Sequence, residues 1–304
     1  MPDCRRTDSI LASMPPQSRV AVLRLRSLGD CVLTTPALEI LRRTRPDVRI
    51  GVVVEQRFRG VFDGNPDVAE LLPPEAEAVR HFAPWVCLNL HGGTRSALIT
   101  ALSGAPIRAG FAHFRYRMAY NVRIPRAQEI LGVERKVHTA EHLASAMFYL
   151  GAERGDVPRA KLGPGAGDRG PGRLSVIHAC AATAEKTWPA ENFLKVAEQL
   201  EGSGLEPVFI GGAADDLSPF RHYRTLQGAS LPEIAKLMGE AALFVGNDSG
   251  PAHMAAAAGL PVVVIFSTSD PEIWGPWRTA GEVVRAPAAA EQVIQAVGRL
   301  RVAA

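Results

Sequence analysis

Cysteine is scarce in this 304-residue chain, and the four present, Cys4, Cys31, Cys87 and Cys180, lie far apart with no C-x-x-C spacing. That pattern excludes a zinc ribbon and a disulfide framework, and it leaves buried free thiols as the simple expectation. Long apolar runs are also missing. The longest, 252–266, is interrupted by Gly259 and Pro261 and falls short of the roughly 18 residues a spanning helix needs. The first sixteen residues are polar and broken by proline, without the apolar centre of a signal peptide. The expectation is a cytoplasmic protein with no spanning segment. No H-E-x-x-H, G-x-S-x-G, Walker A or EF-hand pattern occurs, so neither metal-dependent nor ATP hydrolysis has local support and no metal site is expected. Gly211-Gly212 lacks the third glycine of a dinucleotide fingerprint, which counts against a nicotinamide enzyme. No nucleic-acid-binding module is visible, and nucleic acid is not expected as a partner.

What is present fits a globular protein: 47% of residues are apolar and 21% charged. At roughly 150 residues per domain the length suggests two domains. The net charge of +3 is unevenly placed. Residues 1–165 hold 23 Lys+Arg against 16 Asp+Glu, and the remainder holds 11 against 15. Arginines including Arg57, Arg59 and Arg115 lie in the basic half. A solvated surface explains any one of them, but a bias over half the chain points to an anionic partner: a phosphorylated glycolipid or an anionic membrane surface.

Short apolar runs alternate with helical patterns. Segment 19–26 alternates and reads as a strand, a short loop Ser27-Leu28-Gly29-Asp30 follows, and 32–43 carries a helical stripe whose start is placed at Thr34, Thr35 and Pro36. Further strands are expected at 48–54, 86–90, 107–111 and 120–124, with a helix at 141–150. Residues 163–172 are almost all Gly and Pro, a composition that supports no regular element, so the linker is placed there. A second series follows. It has strands at 174–178, 207–211, 243–246 and 262–266, and helices at 191–200, 231–238, 251–258 and 289–301. Ser230 with Glu233 makes a capping box for the helix at 231–238. Strand–helix alternation predicts an α/β protein with parallel sheets. The expected plan is a polar tail at 1–17, one domain at 18–162, the linker at 163–172 and a second domain at 173–304, whose last helix is free to pack back on the first domain.

Chemistry-bearing residues fall at strand ends, where open α/β sheets place ligands. Asp30 follows the first strand; it is a general base for an alcohol or a helix cap. Asp248, Ser249 and Gly250 open a helix before Pro251, giving either a diphosphate seat on helix amides or a capped structural helix. Lys186, ahead of Trp188 and Pro189, is either a cation for a departing diphosphate or a surface lysine. Gly212 and Asp215, after the next strand, read equally as a ribose contact or a simple turn. The loop bearing Trp274 and Trp277 covers a ligand or seals the core edge.

Taken together, RLRSLGDCVLTTPALEILRRTRPDVRI, VVEQRFRGVFDGNPDVAELL, HACAATAEKTWPAENF, FIGGAADD and LFVGNDSGPAHMAAAAGLPVVVIFSTSDPEIWGPW resemble, in order and spacing, the bacterial ADP-heptose lipopolysaccharide heptosyltransferases of glycosyltransferase family nine. The resemblance covers about residues 18–280. It implies a GT-B-type fold, two Rossmann-like domains facing across a cleft, with acceptor bound by the first and nucleotide sugar by the second. It also implies inverting, metal-independent transfer of heptose from ADP-heptose to a lipopolysaccharide core or Kdo-lipid A acceptor, without a cofactor. Asp30 takes the place of the family's base and Lys186 that of the lysine at the leaving diphosphate. Asp248 would hold donor-sugar hydroxyls, Ser249, Gly250 and Thr183 the phosphates, and Gly212 with Asp215 the nucleoside. Arg57, Arg59 and Arg115 would hold the acceptor. A monomer in peripheral contact with the cytoplasmic face of the inner membrane is implied. Two departures stand out: Cys180, Ala181 and Ala182 replace hydroxyl residues near the phosphates, and Ser267-Thr268-Ser269 replaces a Gly-Pro-Thr wall. A nucleotide-sugar binder without activity and a nucleotide-sugar epimerase of the same fold are the alternatives.

Overall fold

The structure, a computed structural model, describes residues 9–163, 172–181 and 183–302. The chain forms two compact units, divided between Pro158 and Arg159. Most of the expected Gly/Pro linker lies outside the described residues, as does Cys4.

Among its described residues unit 1 has a short helix, α1 (Ile10–Ser13), then six strands: β1 (Arg19–Leu23), β2 (Arg49–Val53), β3 (Glu70–Leu72), β4 (Val86–Asn89), β5 (Ile107–Phe111) and β6 (Val122–Ile124). Their order in the sheet is β3-β2-β1-β4-β5-β6, and every pairing is parallel. Helices α2 (Leu28–Thr44), α3 (Ala76–Phe82), α4 (Thr94–Leu102), α5 (Ala127–Leu131) and α6 (Thr139–Leu150) complete the unit. β1 and β2 are buried at four of five positions, as expected of parallel strands covered on both faces.

Helix α2 corrects the expected start. It begins at Leu28, with Ser27 as its N-cap and Asp30 in its first turn. Thr34 and Thr35 lie in its interior. The signal overlooked was the reciprocal cap, in which Asp30 Oδ2 accepts from Ser27 Oγ at 2.9 Å and from the Ser27 N–H at 3.4 Å. Pro36 sits inside the helix, where it cannot donate to the Val32 carbonyl. The Thr35 hydroxyl makes that bond instead, at 2.8 Å, so the carbonyl keeps a partner and the helix continues.

Unit 2 repeats the plan. β7 (Leu174–His178), α7 (Ala190–Gly202), β8 (Glu206–Gly211), β9 (Arg224–Gln227), α8 (Leu231–Gly239), β10 (Ala241–Asn247), α9 (Gly250–Ala257), β11 (Val262–Phe266), α10 (Pro271–Trp274), β12 (Gly281–Arg285) and α11 (Ala290–Val302) follow one another. The sheet order is β12-β11-β10-β7-β8-β9, again wholly parallel. Its core gathers Ile177, Phe193, Phe209, Val245 and Val263, and α11 adds Val293 and Ala296.

Each unit thus has the dinucleotide-fold strand order, with a switch point between its first and fourth strands. In unit 1 this lies between β1 and β4, and in unit 2 between β7 and β10. The residues following those four strands are where a ligand crevice is expected.

Candidate functional site

At the unit 1 switch point Arg24 follows β1 and is only 6% exposed. Its Nη1 donates to Asp30 Oδ1 at 3.1 Å, and its Nη2 donates to the Leu90 carbonyl beyond β4. Burial pulls the Arg24 guanidinium down in pKa, while the Asp30 carboxylate pushes it back up. Asp30 is therefore held on both oxygens, Oδ1 by Arg24 and Oδ2 by Ser27, and its side chain remains 23% exposed. Capping and an available carboxylate coexist in one residue.

His91 completes this corner. Asn89 Oδ1 accepts from the N–H groups of His91 and Gly92, at 2.9 and 3.0 Å. Burial first, then the charge of Arg24, lowers the His91 pKa. Gly92 has φ +78°, and a Cβ there would come within 2.5 Å of the Phe114 ring, so only glycine fits.

Arg57 and Arg59 lie in the 3-10 turn Gln56–Val61 after β2, and Arg115 lies in the loop after β5. All three stand on the sheet edge that carries Asp30. Arg57 is tied to Glu55, its Nε donating at 3.1 Å, and it stacks on Phe58. Arg115 lies over the Tyr116 ring.

At the unit 2 switch point the structure brings Lys186 to Asp248. Lys186 Nζ is 3.6 Å from Asp248 Oδ2 and donates to Ser269 Oγ at 2.7 Å. Three strand-end loops, after β7, β10 and β11, thereby meet at one ammonium. Thr183 opens the 3-10 turn that presents Lys186, its carbonyl accepting the Lys186 N–H at 3.0 Å. Lys186 also lines a cavity of about 390 Å³ with Trp188, Asn192, Ser267, Thr268 and Pro287. The Ser267-Thr268-Ser269 departure accordingly sits on the wall of this region.

Helix α9 starts at Gly250, which puts Pro251 second rather than first. Ser249 is its N-cap without a side-chain cap bond, because its hydroxyl pairs with His178 Nδ1 at 3.0 Å. With that side chain turned away, the helix-start amide of Gly250 stays open to an anion.

Gly212 and Asp215 close a turn: the Gly212 N–H donates to Asp215 Oδ2 at 2.7 Å. Asp215 also faces Cys180, whose thiol is pushed up to about 11, first by burial and then by this carboxylate. Burial pushes Cys31 up to about 12 and Cys87 up to about 11, so these three cysteines are weak nucleophiles. Trp274 and Trp277 are half-buried, and their loop turns on Asp270, which accepts the Glu272 N–H at 3.0 Å.

The residue sequence reasoning missed is Asn247, which is fully buried. Its Oδ1 accepts the Trp188 N–H at 3.0 Å and its Nδ2 donates to the Ala179 carbonyl at 2.9 Å. It pins both ends of the loop that carries Thr183 and Lys186. Asn247 lies inside the quoted GNDSGP motif, but partners some sixty residues away leave no local signal. Arg24 was hidden in the same way, within an alternating strand pattern.

His178 gives a pH prediction. Burial pushes it down to about 4, opposed by Asp215, so the fold prefers its neutral ring. As pH falls below the ordinary value near 6.5, the unfolded chain takes the proton first. Stability present above that pH is lost progressively towards pH 4, by up to about 1.4 kcal/mol per pH unit. Unfolding of His178→Gln should show a shallower slope across pH 4–6.5; an unchanged slope assigns the titration elsewhere.

Comparison with known proteins bears on the family and the fold. The chain is 26% identical over 296 residues to lipopolysaccharide heptosyltransferase 3 of Escherichia coli, covering 83% of this chain and 84% of that one. It is 22% identical over 302 residues to lipopolysaccharide heptosyltransferase 1 of E. coli K12, covering 88% and 94%. Among solved structures, a family 9 glycosyl transferase from Veillonella parvula superposes with a TM-score of 0.81 at 22% identity, over 95% of this chain and 98% of the other. Two parallel sheets of this order in one chain are the GT-B fold of such enzymes. The glycosyltransferase family 9 (heptosyltransferase) pattern matches residues 85–297, and the chain belongs to that family.

Proposed function

We propose that this glycosyltransferase moves heptose from ADP-heptose to a lipopolysaccharide core acceptor of the Kdo-lipid A type, with inversion and without a metal. The observation carrying this reading is the pair of switch-point constellations: Asp30 with Arg24 and Ser27 in unit 1, and Lys186 with Asp248 and Ser269 in unit 2. This reading assigns the acceptor to the Asp30 constellation of unit 1 and the nucleotide sugar to the Lys186 constellation of unit 2. Relatives named lipopolysaccharide heptosyltransferases support heptose transfer to lipopolysaccharide, and a solved structure titled ADP-heptose lps heptosyltransferase II supports the donor.

In this mechanism Asp30 Oδ2 removes the proton from the acceptor hydroxyl. The oxygen then attacks the anomeric carbon from the face opposite the nucleotide, the carbon–oxygen bond to the diphosphate breaks, and ADP departs with the bonding pair. Lys186 and the Gly250 amide stabilise the charge developing on the diphosphate. Asp248 holds donor-sugar hydroxyls, Ser249 and Thr183 lie at the phosphates, and Gly212 with Asp215 borders the nucleoside. Arg57, Arg59 and Arg115 bind the anionic acceptor. The chain works as a monomer on the cytoplasmic face of the inner membrane.

Incubation of the chain with labelled ADP-heptose and Kdo-lipid A, with and without chelator, tests the reading. It expects, in both arms, heptosyl product whose anomeric configuration is opposite to that of the donor, with free ADP in equal amount; product that keeps the donor's configuration overturns inversion. Loss of product with chelator overturns metal independence. Sugar interconversion without acceptor points instead to the epimerase alternative.

A further inference from the structure

Between Val79 and Gln128 the chain has seven arginines and not one Asp or Glu. The same stretch carries three exposed large apolar side chains: Leu98 at 59%, Leu102 at 51% and Met118 at 97% exposure. Leu98 and Leu102 are one helical turn apart on α4, so they share a face. Arg95, three residues before Leu98, continues that stripe. The 3-10 turn Arg117–Ala119, which carries Met118, packs against α4. Ala97 and Ala119 belong to one buried cluster, and Thr94 Oγ1 pairs with the Tyr116 hydroxyl at 2.8 Å. The exposed apolar edge of α4 and the exposed Met118 border one surface, with Arg115 and Arg117 beside it and Arg95, 4.0 Å from Glu55, at its margin.

Apolar side chains ringed by arginines, with no carboxylate over some fifty residues, match the interfacial layer of an anionic bilayer, where acyl boundary and phosphates lie within a few ångströms of each other. A second protein chain would need no such one-signed field. We propose that the α4 and Arg117–Ala119 face of unit 1 docks on an anionic phospholipid bilayer, with Met118, Leu98 and Leu102 entering the headgroup boundary and the arginines on phosphates. The inference extends the glycolipid reading above by naming the surface that meets the membrane. Arg115 belongs both to this rim and to the acceptor contacts, so docking would present the sheet edge bearing Asp30 to a lipid-anchored substrate.

The test is flotation of the full chain with vesicles of phosphatidylethanolamine and phosphatidylglycerol, free of any glycolipid, against vesicles of phosphatidylcholine alone. Binding to the first, lost at high salt, is expected. Met118→Ser with Leu98→Gln and Leu102→Gln should lower partitioning at least about tenfold, and Arg117→Glu by a similar factor. All should keep full turnover on a water-soluble acceptor fragment. Equal binding by the variants, equal binding to neutral vesicles, or a change of oligomeric state in the apolar variant without loss of vesicle binding overturns the proposal. Because neither donor nor acceptor is present on the vesicles, failure here leaves the transferase reading standing, and failure of that reading leaves the flotation result intact.

Discussion

Asp30→Asn should lower turnover by about 10²–10⁴-fold, the usual worth of general-base assistance, with little change in donor KM. The substitution suits the question because it keeps the side chain's shape. An asparagine oxygen still accepts from Arg24, which sits 3.1 Å from Oδ1, so the strand-end corner survives. The loss falls on Oδ2, the oxygen that accepts from Ser27, which becomes an amide nitrogen unable to take a proton. Loss of the cap to the Ser27 N–H is worth only about 1 kcal/mol, and thermal unfolding of the variant measures that part separately. Because Asp30 lies in unit 1 and the donor groups in unit 2, donor affinity should stay close to that of the parent. Unchanged turnover in a folded Asp30→Asn protein would remove Asp30 from the mechanism and leave it a helix cap.

Lys186→Ala should lower turnover by about 10²–10³-fold, the range seen when one preorganised group opposite developing charge is removed. The Lys186 side chain is one-third exposed, and its ammonium rests on Asp248 and Ser269. Truncation thus removes charge without opening the core. Ground-state ADP affinity should fall much less than turnover, since negative charge on the leaving oxygen grows only as the glycosidic bond breaks. Lys186→Arg restores charge but not the compact point geometry, and it should recover part of the rate. An effect confined to acceptor KM would reassign Lys186 to acceptor binding.

Periodicity makes most of the fold legible in the sequence. The apolar runs that became β2 and β11 are buried on both faces, and such runs stand out in a sequence, while β1 was legible from its alternation. The elements missed were β3, β9, β12, α1, α3, α4, α5 and α10. β9 and β12 are mostly exposed edge strands, where one face and one edge meet solvent and no apolar pattern is required. Asp30 and Lys186 were legible from their places after strands, and Ser230 with Glu233 formed the expected capping box. A proline after two threonines reads locally as a helix entry, but the Thr35 hydroxyl makes Pro36 tolerable inside α2, which starts at Leu28.

Local order along the chain determined the alternation of strand and helix, the parallel sheets and the strand-end positions of the chemical groups. These depend on neighbours a few residues apart, through side-chain period, capping and turn residues. Tertiary structure alone decided that Arg24 reaches the Leu90 carbonyl, that Asn247 pins the Lys186 loop, and that Lys186 reaches Asp248 and Ser269. It also decided that Ser249 gives its hydroxyl to His178 instead of its own helix. Partners separated by tens of residues are joined by strand order, and a hydrogen bond carries no trace of that order in either partner's immediate sequence.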